Sequence, residues 1–543
     1  MNPFFQLALA VAVSMLVIPL MRRFAPRLGL VDMPDARKVH STPIPRVGGW
    51  GIMLGSLLPL LLVFNPDPLV LSYLIGYLTL FAFGVWDDAK TIGHWPKFIG
   101  QLFAVGIVVY YGDLWVSRLP FVDGALAPQI GKPFTMFALI GVINAINHSD
   151  GLDGLAGGES ILSLIALAIL GYLSGNSLIV GIALATIGGI FGFLRYNSHP
   201  AFVFMGDCGS QVLGFTLGFL VVYLTQDANG AVSAALPLLI LGVPLADILS
   251  VLYQRVRGGM NWFRATRNHI HHRLMQVGFD HYETVVIIYL LQATLVVLAV
   301  LERYESDVIV TLLYLGVMAT LLLLLGAAER RGFRIRRAAG AQSRVTRLVT
   351  ALKANRGIVR AALGVIMVVT PAVMLLSAVC VVRIPSDFAA PAAVLALVPA
   401  VQLLWPRAAK PALLRLAIYA SAIFPAYLLI SYAGELPPGV QSVTTAVILV
   451  LTAAILVYVS FSAEQRFRTT PTDYLIACGL VALTVFSSID VNSRNVVEAV
   501  LFAAVLMYAC EIIVASTPGS ASPRVLQYST LGTLLVIVLR GAL

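Results

Sequence analysis

The sequence is dominated by apolar runs long enough to cross a bilayer, and they recur along its whole length. A helix needs about 20 mostly apolar residues to traverse the hydrocarbon core. Runs that meet or approach this length lie at 4–20, 47–64, 69–86, 98–111, 133–147, 159–174, 178–194, 210–224, 232–252, 284–301 and 307–327. A second group lies at 359–381, 388–405, 411–433, 440–461, 473–488, 495–516 and 525–541. The pattern predicts an all-α polytopic membrane protein with about eighteen transmembrane helices. The runs are continuous rather than alternating, which excludes a membrane β-barrel. Composition excludes the soluble classes, since 59% of residues are hydrophobic and only 11% charged, against about 25% charged in ordinary globular domains. Four cysteines, with Cys380, Cys478 and Cys510 inside apolar runs, exclude a secreted disulfide scaffold. The first run has no basic residue before it and is followed by Met21-Arg22-Arg23, the pattern of a retained anchor rather than a cleaved signal.

Basic residues in the short loops set orientation. Arg22, Arg23, Arg27, Arg37, Lys38 and Arg46 fill the first loop, which is expected in the cytoplasm with Met1 outside. Alternation then places 254–283 and 328–358 inside as well, so roughly thirty of the 36 Lys and Arg lie on that side. The net charge of +10 therefore reads as topology, with some capacity for anionic headgroups, and not as a nucleic-acid footprint.

The polar stretch 328–358 separates residues 1–327, a bundle of ten or eleven spans, from a C-terminal membrane region of about seven spans at 359–543. No internal repeat is visible, which argues against an inverted-repeat transporter. Loops of the C-terminal region are short and chemically plain, so function is expected in the first bundle.

Five polar clusters recur there, all on the expected cytoplasmic side: Asp32…His40…Arg46-Val-Gly-Gly49; Trp86-Asp87-Asp88; Asn144-Ala-Ile-Asn147-His-Ser-Asp150-Gly-Leu-Asp153-Gly; Phe204-Met-Gly-Asp207-Cys-Gly-Ser210; and Arg267-Asn-His269-Ile-His271-His272-Arg273. Carboxylates at a membrane edge are costly to desolvate, so the Asp87-Asp88 pair points to cation or proton handling. A solvated helix C-terminus is the plainer alternative, although acids there oppose the helix dipole. Asn147, Asp150 and Asp153 are spaced by three and would share one face of a helical turn. The spacing does not fit a calcium loop, and a merely polar turn is the other reading. Asp207 is either a helix N-cap or one of the carboxylates that Mg²⁺ takes beside substrate phosphates. The histidine run lacks a zinc pattern and suits a phosphate clamp, or else an exposed basic loop. Together these ingredients suggest phosphoryl transfer driven by positioning and charge neutralisation, with a lipid as one substrate.

These motifs, in this order, resemble the bacterial polyprenyl-phosphate N-acetylhexosamine-1-phosphate transferases, a glycosyltransferase family 4 type. The resemblance covers residues 30–275 in motifs and extends to about 327 in span count. It implies a cytoplasmic-face site in the bacterial inner membrane. The implied reaction converts a UDP-N-acetylhexosamine, UDP-GlcNAc above others, and undecaprenyl phosphate into undecaprenyl-diphospho-sugar and UMP. It also implies Mg²⁺, with Mn²⁺ as a substitute, and a role in starting a cell-envelope glycan. By the same carry-over, Asp87 and Asp88 lie where the lipid phosphate is activated, and Asp207 and Asn147 hold the metal. Asp150, Asp153 and Asn144 form the nucleotide-sugar pocket, while Lys97, Arg267, His269, His271 and His272 hold the pyrophosphate. Residues 328–543 depart from the family pattern and could be a scaffold, or a docking surface for the downstream glycan-assembly enzyme or a flippase; a homodimer is the other candidate partner for the chain. The rival reading is a transporter or flippase of lipid-linked sugars, for which Asp247 is the clearest intramembrane acid.

Overall fold

Continuous apolar runs with few breakers can satisfy their backbone groups in lipid only as helices, and the chain folds almost wholly into them. The structure is a computed structural model, described here for residues 3–34, 42–259, 268–333, 356–405, 411–432, 435–436, 439–461, 493–516 and 524–542. Twelve helices among the described residues are long and apolar enough to cross a membrane, with three shorter apolar ones. The protein is thus an all-α, multi-pass membrane protein. Seventeen of the eighteen expected runs carry helix, and the run 473–488 lies outside the described residues.

The described residues divide into two compact units, one up to 333 and the other from 356 onward. The first holds α1 (Pro3–Leu28), α2 (Gly48–Val63), α3 (Pro68–Lys90), α4 (His94–Tyr110), α5 (Pro128–Ser149), α6 (Leu155–Leu173), α7 (Ser177–Asn197) and α8 (Asp207–Tyr223). It continues with α9 (Leu236–Ile240), α10 (Gly242–Arg257), α11 (Ile270–Val277), α12 (His281–Leu301) and α13 (Asp307–Arg330). Every residue of α8 from Cys208 to Val222 is buried, which makes it the axis of the bundle. Helices α2, α3, α5 and α6 pack around it. A two-stranded ribbon, β1 (Val31–Asp32) with β2 (Ile44–Pro45), ties the first loop to the start of α8. Phe204 donates its N–H to Pro45 and accepts from Gly48 through its carbonyl, both at 2.9 Å.

The run 232–252 does not make one span. It breaks at Leu241 between α9 and α10, where Pro237 and Pro244 remove backbone donors. The freed groups find side chains instead, as a broken helix in a bundle interior requires. Gln292 of α12 accepts from Val243 N (3.0 Å) and donates to Ile240 O (2.8 Å), and Ser163 of α6 donates to the same carbonyl at 2.7 Å.

The second unit contains helices Arg356–Cys380, Ala389–Leu404, Pro411–Ser431, Val440–Phe461, Ser493–Ser516 and Arg524–Ala542. Half-buried between its helices, Glu511 accepts from Tyr419 Oη at 2.5 Å and pairs with Arg415 at 3.2 Å.

Candidate active site

The site is built where α3, α4, α5 and α8 end together. Helix α3 stops because Thr91 adopts a left-handed conformation (φ 45°), its N–H returning to the Asp87 carbonyl. The short reversal starts α4 at His94 and brings Lys97 back over Asp87. Asp87 is buried; one oxygen accepts from Ile92 N at 2.9 Å and the other lies 2.6 Å from Lys97 Nζ. The same ammonium donates to Asp207, the first residue of α8. The other oxygen of Asp207 accepts from Asn147 Nδ2 at 3.1 Å, and that amide nitrogen also donates to Ser210 Oγ at 2.8 Å. Two carboxylates from different helices thus share one lysine, with an asparagine bracing the second.

Asp88 has a different duty from its neighbour. Its two oxygens accept the N–H groups of Asp207 (2.9 Å) and Cys208 (3.1 Å), so this buried carboxylate caps α8 from outside the helix. Gly206, at φ 75°, is required there twice: the left-handed backbone favours glycine, and a Cβ would run into the Asp88 carboxylate.

The three-residue spacing after Asn144 does not put its acids on one face, because α5 ends at Ser149 and Asp150 leaves helical geometry (φ −77°, ψ 54°). Asn144 donates to Gln101 Oε1 at 3.1 Å and to the Ile140 carbonyl, deeper in the bundle than Asn147. Asp150 lies in the loop beside the cluster and makes no hydrogen bond through its carboxylate among the described residues. Burial, and then the carboxylates of Asp207, Asp88 and Asp153, push its pKa up to about 7, with Arg46 opposing. Asp153 turns away to accept from His199 Nδ1 (2.6 Å) and Ala201 N (3.1 Å). Asp153, His199 and His281 have ligand-type atoms within 4.8 Å of one another. The two imidazoles stack at 4.0 Å and 23°, however, so the cluster closes as a clasp between the 150–154 loop, the 199–201 loop and α12.

Of the predicted phosphate-binding residues, Arg267 lies outside the described residues, as do Arg37, Lys38 and His40. His269 is the N-cap of α11, and its ring stacks on His148 (5.4 Å) and His271 (5.6 Å). His271 is buried against Gly151, where a Cβ would meet its ring, and its Nε2 has no partner among the described residues. Burial, then His272, hold its pKa down to about 3, so His271 is neutral at physiological pH. His272 packs on His271 at 4.2 Å. His148 carries no role in the sequence reading although it sits inside the motif. Its signal was position, one residue after Asn147 at the end of α5.

The residues present fit a hard cation. Asp87, Asp207 and Asp150 are oxygen donors on converging elements, and the Lys97 ammonium between two of them shows the place to be one that positive charge fills. The sequence profile of glycosyl transferase family 4 matches residues 70–225. The chain is 32% identical over 280 residues to a Bacillus subtilis (strain 168) protein named as a probable undecaprenyl-phosphate N-acetylglucosaminyl 1-phosphate transferase, covering 51% of this chain and 78% of that one. It is 33% identical over 345 residues to the undecaprenyl-phosphate alpha-N-acetylglucosaminyl 1-phosphate transferase of Escherichia coli (strain K12), covering 62% and 92%. The Haemophilus influenzae protein of the same name is 33% identical over 296 residues, covering 53% and 83%. The chain belongs to glycosyl transferase family 4.

Proposed function

We propose that this protein transfers N-acetylhexosamine-1-phosphate, GlcNAc-1-phosphate above others, from a UDP-sugar to undecaprenyl phosphate and releases UMP. The carrying observation is the Asp87–Lys97–Asp207 arrangement at the ends of membrane helices, in a chain whose relatives bear that activity in their names. The basic-residue asymmetry supports a site at the cytoplasmic face, which in the bacterial inner membrane is where the reaction would start a cell-envelope glycan.

In the reaction, an oxygen of the lipid phosphate attacks the phosphorus bearing the sugar. The bond between that phosphorus and the bridging oxygen breaks, and UMP leaves with the electron pair. The second pKa of a phosphate is near 6, so the nucleophile is already ionised at pH 7 and no aspartate is needed as a base. Asp87 instead holds Lys97 by one oxygen, and Lys97 is within reach of both acids, so an arriving pyrophosphate can take over the ammonium. Asp207, Asp87 and Asp150, with the amide oxygen of Asn147, would hold Mg²⁺, or Mn²⁺ in its place. When bound, the ion neutralises charge on the pyrophosphate. Asp88 fixes where Asp207 stands.

The test is release of UMP from a panel of UDP-sugars, assayed with and without undecaprenyl phosphate and Mg²⁺. Release that depends on both supports the reading, and Asp207→Ala is expected to abolish it. Full turnover in Asp207→Ala overturns the metal assignment; movement of lipid-linked sugar without any UMP overturns the transferase.

A further inference from the structure

Asp247 is a carboxylate in α10, a few residues beyond the break at Leu241, and it is 5% exposed. An unpaired carboxylate so deep in an apolar bundle is costly. No lysine or arginine neutralises it through a described ion pair; its partner is a histidine. One oxygen accepts from His269 Nδ1 at 2.7 Å and the other from Ile270 N at 2.6 Å. The first bond fixes one edge of the imidazole, and the second fixes the first backbone amide of α11, an amide that has no acceptor inside its own helix.

The ring also stacks on two neighbouring imidazoles, His148 at 5.4 Å and His271 at 5.6 Å. His148 follows Asn147, which touches Asp207, so the ring of His269 lies against the helix end that carries the acidic cluster. With Nδ1 engaged, Nε2 is the polar atom that remains, and it makes no hydrogen bond among the described residues. A carboxylate that accepts from Nδ1 fixes the ring's orientation and leaves Nε2 to face a ligand, to which it donates when both ring nitrogens carry a proton. We infer that Asp247 is a positioning residue: it orients His269 so that Nε2 meets a phosphate oxygen of the substrate pair. This rests on the transferase reading above.

Two substitutions separate the edges of the ring. His269→Asn retains an amide where Nδ1 stands and removes Nε2, whereas Asp247→Asn leaves the ring and removes the charge that orients it. With the full-length chain in micelles, UDP-GlcNAc and undecaprenyl phosphate, each variant is expected to lose about 10²-fold in kcat/KM. The double variant should lose no more than either alone, because the two act as a unit. A double loss equal to the product of the single losses, about 10⁴-fold, overturns the inference, and so does wild-type turnover in either single variant. His269→Asn should keep the thermal midpoint of the wild type, so it still decides the matter if Asp247→Asn does not fold. If the wild-type chain releases no UMP, it is the transferase reading that fails. The coupling is then read by thermal midpoint with His269→Ala, which removes the Nδ1 donor, in place of His269→Asn: additive shifts of His269→Ala and Asp247→Asn overturn the Asp247–His269 coupling and a non-additive pair supports it.

Discussion

Asp87 and Asp88 are adjacent on α3, yet one carboxylate shares a lysine with Asp207 while the other receives two backbone amides. The consequences of neutralising them differ accordingly. Asp87→Asn should reduce UMP release by about 10²-fold or more with little change in thermal midpoint. Asp88→Asn retains one good acceptor for two donors and should cost about 1–3 kcal/mol of stability, visible as a lower midpoint in a thermal melt. Asp150 gives a pH signature. Its raised pKa means that the folded protein binds a proton there that the unfolded chain has released, so its contribution to stability falls as pH rises from the ordinary carboxylate range to about 7. Above about 7 it adds a negative charge beside Asp207, so Mg²⁺ should bind more tightly as pH rises through that value. Titration calorimetry across the window checks this, and Asp150→Asn should flatten the dependence. The sequence displayed which residues are polar at the membrane edge. It could not display that Asp88 faces an amide and Asp87 an ammonium, because both partners lie on other elements, as far off as Asp207.

At the scale of elements, the helices themselves were legible, since an apolar run in lipid has no other fold. The break between α9 and α10 was not, because 232–252 is apolar on both sides of Leu241 and its two prolines are compatible with a kinked single span. What decides for a break is Gln292, a residue about fifty positions away that supplies both an acceptor and a donor at the gap. Gln292→Leu should therefore leave Val243 N without a partner and cost about 1–3 kcal/mol, read as a lower thermal midpoint. Activity should fall with it, because α10 carries Asp247. The one-face reading of Asn147, Asp150 and Asp153 failed for a related reason: the period of the helix ended at Ser149, before the acids began.

For the whole molecule, every described residue of the acidic cluster and the histidine loop belongs to the first unit. A chain truncated after residue 333 should accordingly retain UMP release in vitro, and loss of turnover in a folded truncation would show that the second unit takes part in catalysis. The sequence could say little about that unit, in which Glu511, Arg415 and Tyr419 look unremarkable until the helices pack and bring them together. Asp88 has a mechanical corollary for the first unit. By gripping the leading amides of α8 from the last turn of α3, it pins two side-by-side rods at their adjacent ends and leaves them no freedom to slip past one another. Whatever accommodation a bulky lipid phosphate and a nucleotide demand must therefore come from elsewhere than this joint, which stays put as the floor of the cleft.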